Sequence, residues 1–353
     1  MGSAGSPGSA GGAGSPGSAA SPAGPGSPHS TRRGWNWRRP PYLVRALVKL
    51  AATLLAISVV VFGLTALAGN PAHDILGMDA TQSQLAAFTA ANHLNQPVVV
   101  RYLHWLAGVL HGDFGQSYVS GGSVWALIEP RLGRSLLLIL FSWLLMVVVS
   151  VPAGLLAGVR LRGRADVAAT LVTLSIAAFP EFVIGMVLII VFAVNLKVLP
   201  VDSTAVSQGG LFDSLSSYVL PAVTIALGSI PYIVRLMRAN ARDVASHSYV
   251  RSAVLRGISE PALSVRHILP NAAPPVVTAL GLQLASLVGG VIVAETLFSF
   301  PGIGQLLVQS AASRDAPVVE TLTLMIGAAF VIINLLSDAL VIMLTPKLRD
   351  AGR

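Results

Sequence analysis

Apolar residues in this sequence come in long unbroken blocks rather than in alternation. Positions 50–73 carry no charge, and neither do the 25 residues of 135–159. A third block follows Asp166 and runs to Leu196 with Glu181 alone inside it. Positions 214–234, 268–294 and 321–346, the last broken only by Asp338, complete the series. Crossing a bilayer as a helix takes about 20 mainly apolar residues. Six spans are therefore predicted, at about 43–68, 135–159, 167–195, 215–236, 272–296 and 320–344. Continuous runs favour helices over an outer-membrane barrel, whose strands alternate. The expected fold class is all-α integral membrane, with Pro152, Pro180 and Pro221 tolerated in or beside spans.

Two connections are too long to be turns. Positions 69–134 read as a helical subdomain, in which Val99, Leu103, Leu106 and Leu110 mark one apolar helix face that ends at Gly112-Asp113-Phe114-Gly115. The second connection spans 235–267. Its Tyr249–Arg256 stretch has a short helical pattern, Gly257 suits the left-handed turn after a helix, and Ser259 with Pro261 fits the start of another. This predicts helix, glycine turn, helix, either as a protrusion offered to a soluble partner or as an amphipathic connector.

Composition sharpens this picture. Charged residues make up 11% of the 353 and hydrophobic ones 54%, whereas soluble domains carry about 25% charge; the bilayer must replace water around much of the surface. The net charge of +8 raises nucleic acid as a partner until the basic residues are placed. Eighteen of the 23 lie before or just inside the first span, between spans two and three, between four and five, or at the C-terminus. By the positive-inside rule both termini are cytoplasmic, 69–134 is external, and no nucleic-acid partner is expected. Positions 1–40, rich in Gly, Ser, Ala and Pro, read as a disordered cytoplasmic tail ahead of a transmembrane domain at 41–350. The tail holds no apolar segment of the kind a signal peptide needs.

Several chemistries drop out. Without cysteine there is no disulfide, thiolate metal site or cysteine nucleophile. Only Lys49, Lys197 and Lys347 are lysines, and none follows glycine, so no P-loop exists. The seven histidines form no H-E-x-x-H array, and there is no G-x-S-x-G elbow. The chain is expected to have no catalytic residues, no metal site and no cofactor of its own.

The segment YVRSAVLRGIS through HILPNAAPP resembles the cytoplasmic coupling motif of permease subunits of ATP-binding-cassette importers, in the peptide and nickel family of the dipeptide and oligopeptide permeases, first-permease type. LNQPVVVRYLHWLAGVLHGDFGQSY, SIAAFPEFVIGMVLIIVFAV, VIVAETLFSFPGIGQLLVQSAASRDAPVV and NLLSDALVIMLTPKLR are similar to further segments of that family, in order, over about 42–350. Ser248, Pro270 and Thr345 depart from its usual residues.

The resemblance implies the type I importer permease fold in the cell membrane, with a coupling helix between helices 4 and 5. It also implies a homologous second permease, two ATPases that bind ATP and Mg, and an extracytoplasmic binding protein. The chain would then be a transport subunit rather than an enzyme, carrying short peptides; nickel or glutathione is the alternative cargo, and a stand-alone channel or secondary transporter the alternative class. By this resemblance Tyr249, Arg251, Ala253, Val254, Gly257 and Ile258 form the ATPase contact, although Arg251 and Arg256 also fit plain inside-positive topology. Charges within spans are costly and mark function by default. Glu181 is a pathway candidate that attracts a peptide amino terminus, or else pairs with the partner permease or water. Glu295 and Phe298 are assigned to an external gate region, and Asp338 to a structural pair.

Overall fold

The computed structural model describes Gly2 and residues 42–77, 79–160, 163–207 and 215–344. The predicted tail beyond Gly2, Arg162, the basic C-terminus and the Asp338 side chain lie outside the described residues. The described residues are helical, and their one β-type pairing is an isolated bridge between Gln116 and Ser123.

The first apolar block forms α1 (Tyr42–Leu67), which is followed by three short helices: α2 (Ala72–Leu76), α3 (Gln82–Ala91) and α4 (Val98–Leu110). Thr81 and Gln84 close a capping box at the start of α3. In α4 most of the apolar stripe faces outward: Val99, Leu103 and Leu110 are exposed and Leu106 is half-buried, while Tyr102 and Trp105 pack on Phe62 of α1. For a chain with this composition the outside need not be water, so an apolar stripe does not by itself mark the side that packs on the core.

The second block lies inside α5 (Val124–Arg160), which begins well before the uncharged stretch. The third block is broken. Helices α6 (Gly163–Ala178) and α7 (Glu181–Leu188) meet at a 101° bend, and π-helical turns extend α7 to Asn195. Pro180 explains the break: it donates no hydrogen bond and bars helical geometry at Phe179. Among the described residues five helices are long and apolar enough to cross a membrane, or six if the bent pair is one span. The remaining elements are α8 (Leu215–Ser246), α9 (Ser248–Leu255), α10 (Glu260–Leu263), α11 (Leu269–Leu297), α12 (Ile303–Ala312) and α13 (Ala316–Leu344).

Helix α8 is central, with 56% of its apolar window buried within the chain against 17% for α1 and 22% for α13. It packs on α5, α6, α7 and α11. The α5–α8 seam is closest at Gly154 and Gly158, one turn apart. A Cβ at Gly154 would stand 2.6 Å from Met237 Cβ and 2.7 Å from the Val234 carbonyl; one at Gly158 would stand 2.8 Å from both Ala241 Cβ and the Arg238 carbonyl. Small residues four apart let two backbones touch where lipid offers no hydrophobic driving force. Buried hydroxyls along these helices bond their own backbone, Ser142 to Leu138, Ser150 to Met146 and Thr224 to Leu220.

Gly133, on the same helix α5, has open space where a Cβ would go. Gly133→Ala should therefore hold or raise the thermal unfolding midpoint of the detergent-solubilised protein, by up to about 1 kcal/mol of helix propensity. Gly154→Ala should lower it, by an overpacking cost of about 1–3 kcal/mol. Equal midpoints for the two variants would contradict the seam.

Candidate functional site

The segment between α8 and α11 is anchored by alternate use of its faces. Val250 and Ala253, one turn apart on α9, are buried in a cluster with Met237, Ala241 and Val244 of α8 and Leu263 and Ile268 beyond. Tyr249, Val254 and Leu255 are exposed, Leu255 to 84%, and Arg251 and Arg256 flank them. The helix ends through Gly257 at φ +77°, a conformation that glycine adopts without a Cβ clash. Ser259 holds the cap position of α10 without a side-chain cap bond, and Pro261 falls in its first turn. Ile258 is half-buried against the same cluster.

Charge pairs fix this end of the fold. Arg160, ending α5, binds Glu260 of α10 at 2.8 Å. Asp166 of α6 pairs with both Arg238 and Arg242 of α8, and Arg238 also donates to Thr170 Oγ1 at 2.6 Å. Of the predicted coupling residues, then, Tyr249, Arg251, Val254 and Gly257 lie on the surface, and Ala253 is their internal anchor. Leu255 was missed in the sequence, since an exposed leucine after a helical pattern looks like the end of a buried face.

At the opposite end of α11, Glu295 is fully buried and accepts three hydrogen bonds. Ser135 of α5 donates its hydroxyl to Oε1, and the backbone N–H groups of Gly304 and Gln305 donate to Oε2. Ser135 Oγ accepts in turn from the Ile303 N–H at 2.9 Å. Glu295 and Ser135 thus cap the first turn of α12, placing negative charge where free N–H groups converge. Gly302 is required there because a Cβ would sit inside the Glu295 carboxylate, and a Cβ on Gly304 would meet the Ile292 backbone at 2.7 Å. Phe298, fully buried, packs with Tyr218 and Phe300, and its carbonyl accepts from Ser203. The run ETLFSFPGIG is therefore a structural corner in this conformation.

Glu181 is placed differently. It opens α7 just after the bend, and its Oε1 is buried without a hydrogen-bond partner. It faces bare backbone: a Cβ on Gly290 of α11 would stand 2.7 Å from Oε1, and one on Gly228 of α8 would stand 3.9 Å from the carboxyl carbon. The sequence hides a further node in the 69–134 segment. Asp315, ahead of α13, is buried and accepts from the Ser117 hydroxyl and the Tyr118 N–H, which fastens the Gly-Asp-Phe-Gly-Gln-Ser-Tyr loop to the α12–α13 corner.

The two buried carboxylates should respond oppositely. Glu295→Ala orphans three buried donors and should cost about 3 kcal/mol or more, read as a lower unfolding midpoint. Glu181→Gln removes no partner and should leave the midpoint unchanged or higher. The reverse ranking would contradict these roles.

Residues 150–350 match the family of binding-protein-dependent transport system inner membrane components, and residues 41–139 match the N-terminal part of such membrane components. The chain is 36% identical over 311 residues to y4tP of Sinorhizobium fredii, a probable peptide ABC transporter permease protein, covering 87% of this chain and 99% of that one. It is 34% identical over 311 residues to the oligopeptide transport system permease protein AppB of Bacillus subtilis, covering 87% and 98%. Against the glutathione transport system permease protein GsiC of Escherichia coli K12 it is 35% identical over 309 residues, again covering 87% and 98%. The chain belongs to the binding-protein-dependent transport system inner membrane component family, the permease subunits of ABC importers with the type I fold.

Proposed function

We propose that this chain forms half of a membrane pathway that imports short peptides, together with a homologous second permease, two cytoplasmic ATPases and an extracytoplasmic binding protein. The single observation that carries the energy-coupling part is the two-faced helix α9. Its inner face, Val250 and Ala253, is continuous with the α5–α8 core, and its outer face offers Tyr249, Val254 and Leu255 beside arginines. A soluble ATPase that grips the outer face moves the inner one, and with it the helices of the pathway, between two global states. Arg251, Gly257 and Ile258 complete the contact region. The chain supplies no nucleotide chemistry; its partners bind ATP and Mg.

The basic residues favour cytoplasmic termini, an external 69–134 segment and a cytoplasmic 235–267 segment. Peptide cargo is supported by the likeness to y4tP, a probable peptide permease, and AppB, an oligopeptide permease. Glutathione is the second reading, favoured by the likeness to GsiC. Glu181 lies on the path in this reading, because its Oε1, without a hydrogen-bond partner among the described residues, stands ready to meet a substrate ammonium group. Glu295 and Phe298 act from behind the path, by holding the corner between α11 and α12.

Labelled dialanine uptake in cells lacking the native gene tests the cargo, with labelled glutathione in a parallel arm. Uptake of dialanine restored by this chain together with its ATPases supports the reading; restoration of glutathione uptake alone would overturn peptide cargo. Gly257→Pro, which cannot adopt φ +77°, should still insert and bind the second permease while losing about 90% of uptake or more, a barrier increase of at least about 1.4 kcal/mol. Full uptake by an inserted Gly257→Pro variant would contradict coupling through this turn.

A further inference from the structure

A cavity of about 410 Å³ lies between α1, the end of α3, α4, the 114–118 loop and the first turns of α13. Its size falls in the range of about 300–1,000 Å³ usual for small-molecule sites. Unlike the apolar grooves elsewhere on the fold, its walls carry both signs of charge. Glu320, 4% exposed, and Arg101 both line it. Among the described residues the ion pairs join Arg160 to Glu260, Asp166 to Arg238 and Arg242, and Arg314 to Asp74; Arg101 attracts Glu320 without reaching ion-pair distance.

Each charge is held from behind. The Thr65 hydroxyl donates to Glu320 Oε1, which leaves the carboxylate further acceptor capacity. Arg101 lies over the Phe62 ring at 5.9 Å and beside the Tyr118 phenol, whose pKa burial raises above its ordinary value. Two residues of its lining each carry a buried polar atom. Gln96 Oε1, an acceptor, and Trp105 Nε1, a donor, are both buried without a hydrogen-bond partner, and both residues line it. Buried polar atoms are nearly always satisfied.

We propose that this cavity is a binding site for a small zwitterion, an amino acid or a very short peptide, separate from the path past Glu181. A ligand carboxylate meets the Arg101 guanidinium and the Trp105 N–H, both donors. A ligand ammonium meets Glu320 and Gln96 Oε1, both acceptors. A simple anion gives Glu320 no ion-pair partner and a simple cation gives Arg101 none, so the site favours a molecule carrying both charges. The site does not depend on what moves along the pathway, because it shares no residue with the α7, α8 and α11 surroundings of Glu181.

The test uses the assembled permease complex in lipid nanodiscs without the binding protein, with labelled glycine and labelled dialanine in equilibrium dialysis. Saturable binding of at least one probe is expected, displaced by unlabelled zwitterion and not by acetate or methylammonium. Arg101→Gln and Glu320→Gln should each weaken it about tenfold or more, the loss of one charge-assisted contact. Gly133→Ala, on α5 and not lining the cavity, should leave it unchanged. If Glu320→Gln fails to assemble, Gln96→Leu takes its place, with the same direction expected. No saturable binding, unchanged binding in the Arg101 and Glu320 (or Gln96) variants, or equal displacement by acetate would overturn the proposal and reduce the cavity to a hydrated structural space.

Discussion

Backbone contact between α5 and α8 at Gly154 and Gly158 is the constraint on which the rest of the fold is arranged. Inside a bilayer, apolar side chains gain little by leaving lipid for protein, so helices are held by close van der Waals approach and by polar groups that find partners. The α5–α8 seam supplies the first. It brings Met146, Leu155, Ile233, Met237 and Ala241 into one cluster that continues into Val250, Ala253 and Leu263. Any displacement of α9 is thereby felt at the seam. Rigid contact is what transmission requires, since well-packed interfaces switch between discrete arrangements rather than deforming gradually.

The polar side of the same problem is solved at Glu295. A buried carboxylate is expensive unless its oxygens are filled, and Ser135, Gly304 and Gln305 fill them. The expense is offset by function in the fold: one side chain ends α11, starts α12 and binds α5. Glu181 has no such set, and its position at a proline-induced bend places an unsatisfied acceptor against two glycines. The two acids share a residue type and differ in role because one is surrounded by donors and the other by bare backbone.

Much of this was legible in the sequence. Uncharged blocks announced the long helices, and Gly257 announced a turn that does take a positive φ. Pro180 was visible too, although the size of the bend between α6 and α7 was not, because hydropathy reports where a segment is apolar and not its direction. The apolar stripe of Val99, Leu103, Leu106 and Leu110 marked a helix but not which side packs on α1, where Tyr102 and Trp105 make the contacts. The place of Glu295 at a span end was legible, but its bond to Ser135, 160 residues away, was not, because no local pattern encodes a pairing that distant. The same holds for Asp315 with Ser117 and for Glu320 with Thr65.

The central claim is that the exposed face of α9 is where energy enters the chain. The sequence contains no cysteine, so a single Leu255→Cys substitution gives a unique chemical handle on that face. Thiol-specific cross-linking of this variant in the assembled transporter should join it to an ATPase subunit, with a yield that changes between nucleotide-free and ATP-bound states. A Leu103→Cys control on the exposed side of α4 should give no ATPase adduct. Absence of any Leu255→Cys adduct to an ATPase in an intact, transport-active complex would contradict the account.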